Sequence, residues 1–129
     1  MQYEEFIDRV GQQAGLASAA EAGAARAVLT VLGEYLSGGE GLDLASQLPQ
    51  GLAEILRQQP PDRSKIFSLN DFVQMVGEEE EVDDGAALNH IRAVFGVLQE
   101  AVSGGEMEDV RRQFPSEFDT LFEPRGGEA

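Results

Sequence analysis

Apolar residues along the chain recur at three- and four-residue spacing, and no stretch alternates apolar and polar positions as a strand would. Phe6, Ile7 and Val10 form one stripe with Glu4, Glu5, Asp8 and Arg9 on other faces, which predicts a helix over Tyr3 to Ala14. Gly15 stands where a left-handed residue would end it. Ser18-Ala-Ala-Glu21 has the spacing of a capping box and opens a helix running to about Leu36. Ala24, Ala25, Ala27, Val28, Leu29, Val31 and Leu32 leave little of its circumference polar, so it belongs in the middle of a small domain. Ser37-Gly-Gly-Glu40 stops that helix and, again at capping-box spacing, starts the next. Leu44 and Leu48 follow, then Pro49 at an expected first helical position before Leu52, Ile55 and Leu56. Gln59-Pro-Pro-Asp-Arg63 is a break.

The same program then runs a second time. Arg26-Ala-Val-Leu-Thr-Val-Leu-Gly-Glu-Tyr-Leu-Ser-Gly-Gly-Glu40 returns, 66 positions on and without a gap, as Arg92-Ala-Val-Phe-Gly-Val-Leu-Gln-Glu-Ala-Val-Ser-Gly-Gly-Glu106. Around it, Ser68-Leu-Asn-Asp71 resembles a cap, Phe72, Val73 and Val76 match Phe6, Ile7 and Val10, and Asp84 stands as the N-cap where Ser18 stood. Val110, Phe114, Pro115, Phe118, Leu121 and Phe122 match Leu44, Leu48, Pro49, Leu52, Ile55 and Leu56. The expectation is an all-α fold: two tandem four-helix repeats, 1–59 and 68–124, joined by a linker at 60–67 and followed by a frayed tail at 125–129. The two repeats pack as one compact helical domain, with the apolar central helices, 19–36 and 85–102, facing one another across a pseudo-twofold axis.

Composition narrows the chemistry more than the fold. With 129 residues and a hydrophobic fraction of 42%, the chain can bury a core without a metal or disulfide staple. Trp is absent, so that core is mainly Leu, Val, Ile, Ala and Phe. The absence of cysteine excludes disulfides, thiolate zinc sites and cysteine nucleophiles, and is compatible with a reducing compartment. The acidic N-terminus lacks the features of a signal peptide, and no apolar run approaches the roughly 20 residues needed to span a bilayer. A cytoplasmic location is the expectation. Net charge is −15, and residues 67–129 hold 15 of the 24 acids against 4 bases. A field of that sign repels a phosphate backbone, so direct nucleic-acid binding is not expected.

Candidate chemistry is sparse. The only lysine, Lys65, has no glycine-rich loop before it, so no phosphate-binding loop is present. His90 is the only histidine and falls in register with Ala24, which favours a packed or surface role over a catalytic one. The sharpest compositional feature is the acidic run Glu78, Glu79, Glu80, Glu81, Asp83 and Asp84. Asp83 and Asp84 suit a helix N-terminus, whereas Glu78 to Glu81 crowd a helix C-terminus, where the dipole opposes them. A solvated helix end explains the run most simply; a weakly supported metal site for a hard divalent cation is the rival. Arg26 and Arg92 recur with Glu34 and Glu100 on otherwise apolar helices. Each arginine either ties its helix to a neighbouring loop or joins its twin in holding an anion.

Taken together, Tyr3-Glu-Glu-Phe-Ile-Asp-Arg-Val10, Arg26-Ala-Val-Leu29, Gln47-Leu-Pro49, Phe72, Arg92-Ala-Val94, Ser103-Gly-Gly-Glu-Met-Glu-Asp-Val110 and Gln113-Phe-Pro115 resemble the small bacterial proteins of domain-of-unknown-function family 2267. The resemblance covers roughly Met1 to Glu123 and implies an all-helical fold with no assigned activity, cofactor or catalytic residue. The function expected from the residues is that of a non-enzymatic helical protein acting through protein–protein contacts, as a monomer or a homodimer. A divalent-cation or small-anion binder is one rival, and an acidic mimic of nucleic acid that occupies a basic protein is another.

Overall fold

A computed structural model of the chain describes residues 1–16, 18–36, 39–58 and 68–122, and every element among them is helical. Helices α1 (Tyr3–Ala14), α2 (Ser18–Tyr35), α3 (Glu40–Ala45) and α4 (Gln50–Gln58) are followed by α5 (Leu69–Glu80), α6 (Asp84–Ala101), α7 (Gly104–Arg111) and a closing 3₁₀ helix, η1 (Ser116–Phe122). The bounds of α5 and α6 lie 66 positions beyond those of α1 and α2 at both ends. The expected linker at 60–67, the tail at 125–129 and the turn at Ser37-Gly38 lie outside the described residues.

Packing interleaves the two halves. Helix α1 rests on both α2 and α6, while α5 rests on both α6 and α2, so each first helix bridges the two central ones, which also touch each other. Phe6, Val10, Phe72 and Val76 are fully buried in these contacts. Along α2 and α6 the residues Val28, Leu29, Leu32, Ile91, Val94, Phe95 and Leu98 are equally buried, which is where their nearly continuous apolar circumference placed them. Rings concentrate at one end of the core: Tyr35 at the end of α2 stacks on Phe114 at 4.3 Å between centroids, and Phe72 and Phe118 surround the pair. The residue positions that Leu48 and Leu52 fill in the first half are thus aromatic in the second, and Tyr35 crosses over to meet them.

Two local expectations are corrected. The N-cap of α6 is Asp83, whose Oδ1 accepts the Ala86 N–H at 2.8 Å, and Asp84 is already helical. Either acid can accept from an amide two or three positions on, and the start of the helix at Asp84 decides for Asp83. The Ser18 side chain of the expected capping box lies outside the described residues, while the Glu21 carboxyl is buried over Gly11 and hydrogen-bonds Asp8. A Cβ at Gly11 would meet the tip of the Glu21 side chain and push it aside, so the glycine leaves room for that carboxyl. Burial, then the charge and hydrogen bond of Asp8, raise the Glu21 pKa above the ordinary carboxylate value. The last element is a 3₁₀ helix rather than an α-helix; its three-residue turn puts Phe118 and Leu121 on one line, and both are buried.

Gly15 ends α1 in the left-handed region, with φ 73° and its N–H returned to the Gly11 carbonyl. In the second half Glu81 takes the same conformation, φ 65°, with its N–H on Gly77. A side chain with a Cβ is strained there by roughly 1 kcal/mol, and its charge sits at the unfavourable end of the dipole. Glu81→Gly is therefore expected to stabilise the protein by about 0.5–1 kcal/mol after the added freedom of the unfolded chain is subtracted, as measured by urea unfolding.

Candidate metal centre

Ser-Gly-Gly-Glu, read from the sequence as a helix stop and a cap, does something further in the fold. At Ser68 a complete capping box forms: the Asp71 N–H donates to Ser68 Oγ at 3.1 Å, and the Ser68 N–H donates back to Asp71 Oδ2 at 3.2 Å. At Ser103 only the first of these bonds is made, Glu106 N–H to Ser103 Oγ at 3.2 Å. The Ser103 N–H donates instead to Oε1 of Gln47, at 2.7 Å, from the far half of the chain. The Glu106 carboxylate, released from the cap, turns toward α3.

Helices α3 and α7 meet along a short seam. Glu106 is only 8% exposed there, and it faces Glu40 and Asp109, with one carboxylate oxygen of each within 4.8 Å of the others. Glu40 Oε2 and Glu106 Oε2 are both buried and receive no hydrogen bond from any group other than the facing carboxyl. Burial, followed by a hydrogen bond shared with Glu40 and the charges of Glu40, Asp43 and Asp109, pushes the Glu106 pKa up to about 8. A carboxylate in that setting binds a proton or a cation more readily than water. Asp43 and Asp109 are exposed and leave one side of the seam open. The four acids are two pairs 66 positions apart, Glu40 with Glu106 and Asp43 with Asp109.

None of the six acids singled out in the sequence belongs to this cluster. Glu78, Glu79, Glu81, Asp83 and Asp84 are exposed, with Asp83 used as a cap. Glu80 turns inward, and its Oε1 lies 2.8 Å from Nδ1 of His90, with the two side chains 10% and 5% exposed. Among the described residues the carboxylates that approach cation-binding geometry are Glu40, Glu106 and Asp109. Arg92 donates to Thr120 Oγ1 of η1 at 2.7 Å, while Arg26 is exposed on α2. A shallow concavity of about 180 Å³ beside α7 contains neither arginine; its own Arg111 is engaged with Asp119 and the Phe122 ring. Glu100, the acid recurring with Arg92, takes Arg9 of α1 at 2.7 Å.

The class these features define is an all-helical protein with no helix, among the described residues, long and apolar enough to cross a membrane. The chain belongs to the family described as uncharacterized conserved protein (DUF2267), whose family model matches residues 3–121. No curated protein matches it.

Proposed function

We propose that this chain is a non-enzymatic helical protein that binds a hard divalent cation at the α3–α7 seam through Glu40, Glu106 and Asp109. The observation that carries this reading is Glu106: nine-tenths buried, with an unpartnered oxygen, and facing two further carboxylates. Stability alone would not favour that arrangement, because buried like charges oppose folding. A divalent ion reverses the sign of the interaction. The ligands are all oxygen, which suits calcium, magnesium or manganese and not the thiolate- or imidazole-seeking metals. Calcium takes six to eight oxygens at about 2.3–2.6 Å, so water on the open side would complete its shell. The protein-contact and nucleic-acid-mimic readings rest on net charge and gain no further residue from the fold.

Isothermal titration at pH 7.5 with calcium, manganese and magnesium in turn tests the site. One ion per chain is expected, with binding lost in Glu40→Gln/Glu106→Gln. At an ion concentration 100 times Kd the melting transition should gain about 2.7 kcal/mol. No heat from any of the three ions, and no change in melting temperature, would refute the assignment.

A further inference from the structure

We infer that Gln47 is the positioning residue of this seam: by accepting the Ser103 N–H it denies Glu106 its capping partner and keeps the carboxylate among the acids. The inference rests on the cation-binding reading of the seam. Ser68 and Asp71 show in the same molecule what a cap serine and the acid three residues later do when no third group intervenes. Glu106 occupies the matching place in α7, and its carboxylate can make the same bond. The two caps differ in sequence, Leu69-Asn70-Asp71 against Gly104-Gly105-Glu106, and in surroundings: at Ser103 a side-chain oxygen from the other half stands 2.7 Å from the nitrogen that the acid would otherwise take.

Gln47 follows α3, the element that supplies Glu40 and Asp43. One short segment thus brings both the carboxylate opposing Glu106 and the group that holds Glu106 opposite it. The two alternatives for Glu106 differ in sign for the empty site. Returning to the cap would relieve its repulsion by Glu40, Asp43 and Asp109 and put its carboxylate in place of Gln47 as the acceptor of the Ser103 N–H. Staying in the seam leaves an oxygen unpartnered and available to an ion.

The decisive comparison is between Gln47→Ala and Gln47→Glu, the second retaining an acceptor oxygen. Gln47 is exposed, so both substitutions leave the core untouched. In Gln47→Ala the affinity for calcium, added alone, should fall at least tenfold, and a crystal structure without calcium should show the Glu106 carboxylate on the Ser103 N–H. Gln47→Glu should keep Glu106 in the seam and keep the affinity within a few fold of the parent. Unchanged affinity in Gln47→Ala, or a Glu106 that stays in the seam without Gln47, would overturn the positioning role. A parent protein that takes up no calcium, manganese or magnesium would instead defeat the cation assignment, and the position of Glu106 in Gln47→Ala would still decide whether Gln47 holds it.

Discussion

Glu106→Gln is expected to raise the stability of the ion-free protein at pH 8.5 by about 2 kcal/mol and to leave it nearly unchanged at pH 4. The sign follows from the direction of the shift. Glu106 binds its proton more tightly folded than unfolded, with a folded pKa of about 8 against an ordinary 4.5. The folded state therefore holds the extra proton between those two values. Stability is full below the unfolded pKa, declines as pH rises through the window, and has lost the whole contribution above about pH 8. One pK unit corresponds to 1.36 kcal/mol, but Asp43 and Asp109 are solvated and the open side screens them, so roughly 2 kcal/mol is expected rather than the full difference. Glutamine keeps the shape, stays neutral throughout, and can donate an N–H to Glu40. In a chain of this size the effect amounts to a rise of about 6–10 °C in melting temperature. Thermal unfolding from pH 4 to 9 in the presence of a chelator measures it. A parent protein and Glu106→Gln whose pH profiles run parallel would show that Glu106 is not the group responsible.

His90→Ala should destabilise the protein by about 3–5 kcal/mol, because Glu80 would be left buried without its partner. His90 itself is 4% exposed, so a cavity adds to the loss. The first half of the chain states the remedy. The positions 66 residues earlier than Glu80 and His90 are Ala14 and Ala24, an uncharged solution at corresponding places. Glu80→Ala/His90→Ala should accordingly be more stable than His90→Ala alone, by 1 kcal/mol or more, since no buried carboxylate is then left over. Urea unfolding of the two single variants and the double variant at pH 7 gives the coupling. Equal stabilities for His90→Ala and the double variant would mean that Glu80 reaches water once His90 is removed.

Local rules carried the elements and stopped short of the seam. The stripe of Phe6, Ile7 and Val10, the stop at Gly15 and the box at Ser68 are interactions within one helix turn, and spacing along the chain is enough to read them. Asp83 and Asp84 are neighbours that are both chemically able to cap, and spacing alone does not choose between them. The same local rule assigns Glu106 to a cap, and it fails because Gln47, 56 positions before Ser103, takes the Ser103 N–H first. Glu78 to Glu81 drew attention through density of charge, yet charge density is what a solvated surface tolerates. The acids of the seam are scattered in sequence and gathered by the contact of α3 with α7. A signal for them did exist: the same glutamate and the same aspartate recur 66 residues apart, on two helices that the fold brings into contact.

The interleaving of first and central helices also orders events during synthesis. Helix α1 covers part of α6, a segment the ribosome delivers some seventy residues later, and α2 needs α5 in the same way. Until α6 has emerged, the apolar faces of Phe6, Val10 and Val28 lack their final cover. The nascent N-terminal half is thus held in waiting, and native packing becomes available only when most of the chain has been made.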